Sequence, residues 1–398
     1  MEFVYEDILS GEFGNNLREV DARGKTLDEK ISSEPKVGNN LYTSLDLKSH
    51  QAAHKALNNR KGAVVAIDIN DGSIVTLFSS PTFSTNQLAN GILQKDFDEL
   101  LLSEEKPFFN RALRGRYPPA SSIKPAIAMY GIEEGLIDWN FSIFDEGFFT
   151  LPEDGRIYRD WKEGGHGDTN LFKAITQSSN TYFFDLAYRS DINQLNKHLS
   201  SLGFGDKACI DCFEEDQVFV PEPSWKMNKH NFGWFKGDTV NMGVGQGYLV
   251  STPIQLAKYA YIMANKGKFS DLSLKKDLVK SEKSIEFNKF SNDDWFKLHE
   301  SMVNVIEGNT GTARRLREKK NYIVAAKTGT AELVSGDNRE QYSETRLDDS
   351  LRDHALIIAF GPMPNPRYAV SVVVENGESG GSVAGPVAIS VLNSLIQE

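Results

Sequence analysis

The sequence predicts an α+β fold in which one antiparallel sheet is assembled from both ends of the chain, flanked by helices and carrying an all-helical block. Three observations predict it. Gly62 to Ile69 (GAVVAIDI) and Ile74 to Phe78 are apolar runs rich in β-branched residues, joined by Asn70-Asp71-Gly72-Ser73. An Asp-Gly between such runs is a strong hairpin signal. The middle of the chain shows helical spacing instead: Ile127, Tyr130, Ile132 and Leu136, then Leu171 to Tyr188, Thr252-Pro253 to about Asn265, and Trp295 to Ile306. Tyr322 to Thr330, Ala355 to Phe360 and Tyr368 to Val374 return to strand length, and a last helix runs from about Val383 to Gln397. Strands at both ends with helices between them imply a layered domain, with its cleft between the sheet edge and the helical block.

The remaining segments fill in this frame. Residues 1 to about 40 are polar, with scattered glycines and little periodicity, and read as a linker or the end of a preceding domain. Leu41 to Leu45 is a short strand candidate, and Asp46 to Leu57 reads as a helix. Ser79 to Tyr117 is mixed and loop-rich, a candidate cleft wall. Asp271 to about Asp294 is rich in Lys, Asp and Ser and reads as a solvated excursion. Met242-Gly243-Val244-Gly245-Gln246-Gly247 does not read as a dinucleotide site. No strand precedes it in a βαβ unit, and no acidic ribose partner follows. Its glycines suit close backbone packing.

The chain has 398 residues and a net charge of −11, which argues against nucleic acid or an anionic membrane surface as the main partner. No stretch approaches the roughly 20 apolar residues of a spanning helix. Met1 to Asp7 has neither a basic segment nor an apolar core, so it is no signal peptide. The protein is then cytoplasmic, or its targeting segment is missing from this chain. Cys209 and Cys212 form a C-x-x-C. A redox helix would need a strand-turn-helix context, and a zinc ribbon a second C-x-x-C. Two packing thiols or a local disulfide suit the pair better.

The candidate chemistry starts at Tyr117-Pro118-Pro119-Ala120-Ser121-Ser122-Ile123-Lys124-Pro125. Ser121 reads as a helix start and Lys124 follows three residues later, so on a helix the two side chains are neighbours. A hydroxyl is a poor nucleophile until a base takes its proton, and a lysine kept neutral by burial can be that base. Alone the pattern proves little, since Ser33-Glu34-Pro35-Lys36, Ser103-Glu104-Glu105-Lys106 and Ser273-Leu274-Lys275-Lys276 fit the same template. Two further runs change the weight: Ser178-Ser179-Asn180, a polar cluster between apolar flanks, and Lys327-Thr328-Gly329-Thr330 at a strand end. In this order the three are the motifs of penicillin-binding proteins and serine β-lactamases.

From about Leu41 to Glu398 the chain resembles class B penicillin-binding proteins, most closely the elongation type. Beyond the three motifs, the resemblance rests on Asp160-Trp161-Lys162 with Gly165-His166-Gly167, and on Gly237-Asp238-Thr239 leading to Gly245-Gln246-Gly247-Tyr248. It also rests on Leu351-Arg352-Asp353-His354-Ala355 and Val374-Glu375-Asn376-Gly377. The resemblance implies a penicillin-binding, serine β-lactamase-like transpeptidase fold over residues 43–398, with residues 1–42 a remnant of a non-catalytic domain and linker. It implies a peptidoglycan D,D-transpeptidase that serves cell elongation and rod shape and is acylated by β-lactams. Ser121 would be the nucleophile and Lys124 its base. Ser178 and Asn180 would shuttle a proton and hold the substrate amide, and Lys327 would attract the substrate carboxylate beside Thr328, Gly329 and Thr330. The N–H groups of Ser121 and Thr330 would form an oxyanion hole.

The chemistry implied needs no cofactor. Some relatives bind a structural zinc ion through two Asp, one His and one Cys. Asp145, Asp160 and His166 match three of these, while Ser179 stands at the fourth position. Either zinc binds there, or the four form a hydrogen-bonded polar cluster. Implied partners are stem peptides, β-lactams, a glycosyltransferase and membrane proteins of the elongation complex. The implied location is the periplasmic face of the inner membrane, held by an N-terminal helix absent from this chain.

Overall fold

A computed structural model describes residues 3–333 and 349–396. Its centre is a five-stranded antiparallel sheet in the order Ala325–Ala331, His354–Gly361, Tyr368–Val374, Gly62–Asp68, Ser73–Ser80. The two chain ends meet where Tyr368–Val374 pairs with Gly62–Asp68, with Val372 opposite Val64 and Val370 opposite Ala66. The hairpin and the three C-terminal strands therefore form as expected.

Successive side chains of a strand point to opposite faces. Ala63, Val65 and Ile67 accordingly join the core shared with the helical block. Val64 and Ala66 join a second core under the helices Leu47–Leu57 and Gly385–Ile396. Both faces are covered, which is why these strands read as unbroken apolar runs rather than alternating ones. On the first face lies the helix Pro253–Ala264, with all twelve residues buried. It packs against Tyr368–Val374 and Gly62–Asp68, and its Tyr259 hydroxyl accepts from the Ala126 N–H of the helical block at 3.1 Å. Among the described residues no helix is long and apolar enough to cross a membrane.

Several expectations need correcting. Leu41–Leu45 forms no strand, only an isolated bridge between Thr43 and Lys275, made by the Ser44 N–H to Leu274 O and the Lys276 N–H to Tyr42 O, both at 2.9 Å, while the Ser44 hydroxyl donates to Ile74 O. Residues 3–40, read as a linker or the end of a preceding domain, hold the short helix Glu6–Leu9 and a hairpin of Asn15–Val20 with Thr26–Ser33, elements that the sequence did not mark. Every residue of that hairpin is exposed, so no apolar alternation marked it. The excursion from Asp271 is only partly solvated. Leu272, Leu274 and Phe290 are buried, and the Leu274 N–H donates to the Asp211 carboxylate at 2.9 Å. Cys209 and Cys212 form a disulfide. Asp211, between them, accepts from Leu274, Lys275 and the Tyr5 hydroxyl, so this turn anchors two distant segments.

Candidate active site

Three backbone devices bring the motifs together. The first is a 3-10 turn, Ala120–Ile123, which runs into the α-helix Lys124–Glu133. Ser121 therefore sits inside the tighter turn rather than at the α-helix start, and side chains three apart eclipse in such a turn. Ala120 is left-handed at φ 49°. It is held there by its N–H, which donates to Gly245 O at 2.8 Å. A Cβ on Gly245, itself at φ +72°, would lie 2.2 Å from Ala120 O. Close backbone approach is thus what the glycines of 243–247 supply, and the dinucleotide reading stays rejected.

The second device is the break between the helices Leu171–Gln177 and Asn180–Arg189, where Ser178 adopts a left-handed conformation at φ 61°. The third is the edge strand Ala325–Ala331, packed on the Ala120–Ile123 turn. A Cβ on Gly329 would lie 3.2 Å from Pro119 O, tighter than most side-chain contacts, so glycine lets strand and turn lie this close without either giving way.

Lys124 and Lys327 are both fully buried, at 0% exposure. Lys124 Nζ lies 2.7 Å from Asn180 Oδ1, 2.8 Å from Ser178 O and 3.3 Å from Ser178 Oγ. Lys327 Nζ lies 2.8 Å from the same Ser178 Oγ. One hydroxyl therefore bridges two amines. Burial pulls the Lys124 pKa down to about 7, against the pull of Asp160 and Asp145 in the other direction. Burial also lowers Lys327 well below its usual range, with the nearby Lys124 adding to the effect. A neutral amine has two N–H groups and one lone pair. In Lys124 the Ser178 and Asn180 oxygens take the N–H groups, which leaves the lone pair as the acceptor. Ser121 is half-buried one turn away, and among the described residues its hydroxyl makes no hydrogen bond.

Asp145, Asp160 and His166 converge, with one donor atom from each inside a 4.8 Å span. His166 Nδ1 is 2.8 Å from Asp145 Oδ2 and 3.8 Å from Asp160 Oδ1. The Ser179 hydroxyl donates to Asp145 Oδ2 at 2.7 Å. Burial raises the Asp145 carboxyl, but bonds from His166, Ser179 and the Gly147 N–H outweigh it and hold the group far below the usual carboxylate range. Asp160 Oδ2 accepts from the N–H groups of Asn180 at 2.6 Å and Thr181 at 3.0 Å, the first turn of the Asn180–Arg189 helix.

Four polar contacts had no counterpart in the motif reading. Trp161 Nε1 donates to Ser178 O at 3.1 Å, and Gln246 Nε2 to Thr330 O at 3.1 Å. Gln177 Nε2 donates to Thr310 Oγ1 at 3.1 Å, and the hydroxyls of Thr312 and Thr328 lie 2.7 Å apart. Trp161 and Gln246 stand in stretches that carried the resemblance, although nothing in their spacing pointed to these bonds. Thr310 and Thr312 lie between a helix and a strand, where no periodicity or motif marks them.

Residues 62–393 match the family model described as penicillin binding protein transpeptidase domain. The chain belongs to the penicillin-binding protein transpeptidase family. It is 39% identical over 393 residues to the peptidoglycan D,D-transpeptidase MrdA of Acinetobacter baumannii, covering 96% of this chain and 58% of that protein. It is 36% identical over 406 residues to the MrdA of Haemophilus influenzae, covering 100% of this chain and 62% of that protein. The chain thus spans about three fifths of the length of these curated relatives. Among solved structures it is similar to Pseudomonas aeruginosa PBP2 in complex with WCK 5153, with TM-score 0.84, 34% identity, and coverage of 99% of this chain and 81% of that one. It is also similar to the Helicobacter pylori complex of PBP2 with MreC, with TM-score 0.86, 30% identity, and coverage of 99% and 71%. The α+β fold anticipated from the strand and helix pattern is the fold of this family.

Proposed function

We propose that this protein is a peptidoglycan D,D-transpeptidase acting through an acyl-Ser121 intermediate. The observation that carries the reading is the buried amine of Lys124, held by Ser178 and Asn180 one turn from a serine that lies against the Lys327–Thr330 strand. Lys124 takes the Ser121 proton as Oγ attacks the penultimate D-Ala carbonyl of a stem pentapeptide. The C–N bond breaks, the departing D-Ala amine receives that proton by way of Lys124 and the Ser178 hydroxyl, and an ester remains on Ser121. An amine of a neighbouring strand then attacks the ester and forms the cross-link. Its surplus proton returns through Lys124 to Ser121. The N–H groups of Ser121 and Thr330 receive the developing oxyanion; in known cases one such donor is worth on the order of 3 kcal/mol.

Thr328 and Thr330 meet the substrate's terminal carboxylate. Lys327 starts out pushed toward the neutral form, and an arriving carboxylate pulls its pKa back up, so its charge appears when substrate does. No step uses a cofactor. β-Lactams acylate Ser121 because they mimic D-Ala-D-Ala. Residues 1–42 belong, on this reading, to a non-catalytic part. The exposed hairpin supports that division, since it contributes to neither core. The function in cell elongation, the periplasmic location at the inner membrane, and partnership with a glycosyltransferase and elongation-complex membrane proteins follow from the same reading. A solved relative in complex with MreC supports the last.

The test is intact-mass spectrometry after penicillin treatment, followed by peptide mapping. A long-lived adduct on the Ser121 peptide is expected. Rapid turnover of penicillin would indicate a β-lactamase instead, and absence of any adduct would remove the reading.

The zinc question turns on Ser179. A closed zinc site wants four donors, and a serine hydroxyl is a poor one beside a thiolate. Here Ser179 keeps its proton and gives it to Asp145 Oδ2, the same oxygen that His166 Nδ1 approaches. The set is one donor short of a closed site, and we read the cluster as a hydrogen-bonded brace. Metal analysis should find under about 0.1 equivalent of zinc in the purified protein, while Ser179→Cys should bring it towards one equivalent. Stoichiometric zinc in the unaltered protein would show the brace to be a metal site.

A further inference from the structure

The loop Gly308–Thr312 touches both halves of the site. Gln177, the residue before Ser178, donates to Thr310 Oγ1 at 3.1 Å, and Thr312 Oγ1 lies 2.7 Å from Thr328 Oγ1. The loop is rigidly mounted. It follows the helix Asn292–Glu307 and folds back on its end, where the N–H groups of Gly308 and Ala313 donate to Asn304 O and Val305 O, both at 2.9 Å. That helix packs on Leu171–Gln177 and on the strand Ala325–Ala331, and Ser301 O accepts from Thr176 Oγ1 at 3.2 Å. Gly381 closes over the loop so tightly that a Cβ there would meet Thr312 O at 2.5 Å.

We propose that Thr312 is a positioning residue that aims the Thr328 hydroxyl at the terminal carboxylate of the substrate; this rests on the transpeptidase reading above. A threonine hydroxyl has one proton and two lone pairs. A single proton can lie between the two oxygens. If Thr328 gave its own, it would face an arriving anion with lone pairs alone. If Thr312 donates, the Thr328 proton is left for the carboxylate, and the bond it accepts polarises it into a stronger donor. Carboxylate binding therefore selects the arrangement in which Thr312 is the donor. Removing that donor leaves the Thr328 hydroxyl free to turn and loses its direction.

The experiment compares acylation rate constants for benzylpenicillin, which carries the carboxylate, and for its methyl ester, which does not. Thr312→Val should slow acylation by benzylpenicillin about tenfold, the scale of one hydrogen bond to a charged group. It should leave the ester rate within about twofold of the unaltered protein. Thr312→Ser should restore the benzylpenicillin rate. If the valine variant fails to fold, Thr312→Ala makes the same deletion without the added methyl and is read the same way. Equal losses with acid and ester, or no loss with the acid, would overturn the assignment and leave Thr312 a packing residue. An unaltered protein that benzylpenicillin does not modify at all would instead sink the transpeptidase reading, and this assignment with it.

Discussion

Lys124→Arg is expected to lose acylation of Ser121 by about 10²–10⁴-fold, the worth of a positioned general base. The substitution keeps a positive charge and hydrogen-bond donors, but a guanidinium does not give up its proton in a protein. The variant therefore separates two roles that deletion would merge. If Lys124 acted as a fixed charge, arginine would retain part of the activity. If it acts as a base, arginine has nothing to accept with.

The pH dependence carries the same distinction. Burial holds the Lys124 pKa at about 7, so the active, neutral form grows as pH rises through that value. Acylation should climb along an acid limb with its midpoint near 7 and then level off, and the arginine variant should show no such limb. Labelling by a fluorescent penicillin across pH 5 to 9 measures both. The lowered pKa also sets a direction for stability. Between about 7 and the ordinary lysine range the unfolded chain binds the proton and the folded chain does not, so stability rises with pH across that window, and the cost of the buried amine is full below it. Normal labelling of Lys124→Arg would show that the base is some other group.

The proposed nucleophile, its proposed base and the strand that faces them could be picked out because each is a local pattern with a mechanism: a serine and lysine one turn apart, a polar break between apolar helices, a lysine and a glycine on a strand end. The sheet was legible for a similar reason. The runs around Val64 and Val372 are long and bounded, and Asp71-Gly72 marks the turn between Gly62–Asp68 and Ser73–Ser80. What stayed hidden depends on contacts between distant residues. The Thr312–Thr328 pair joins two short polar residues across a loop and a strand, and nothing in the spacing of either announces the other. The exposed hairpin of Asn15–Val20 and Thr26–Ser33 buries no face, so period-2 patterning had nothing to act on. Asp160 was legible through the resemblance and as a metal ligand or polar-cluster member, but not as the cap of a helix, because its bonds to Asn180 and Thr181 exist only once the chain has folded back over some twenty residues.

Those bonds lead to the second large effect. Asp160→Leu is expected to cost about 2–5 kcal/mol of stability, because the buried Thr181 N–H and the half-buried Asn180 N–H lose their acceptor and a helix N-terminus loses its facing charge. The same N–H groups belong to Asn180 and Thr181, and the Asn180 side chain holds Lys124 at 2.7 Å, so damage to the brace reaches the base directly. Asp160→Asn tests the electrical part with less harm to shape. The Asp160 charge is one of two that pull the Lys124 pKa up against burial. Removing it should let burial win further and move the acid limb of acylation to lower pH. The denaturant midpoint reports the brace and the labelling profile reports the charge. A folded Asp160→Asn protein whose acid limb stays near 7 would mean that Lys124 does not feel this carboxylate, and that Asp160 acts on the site through helix position alone.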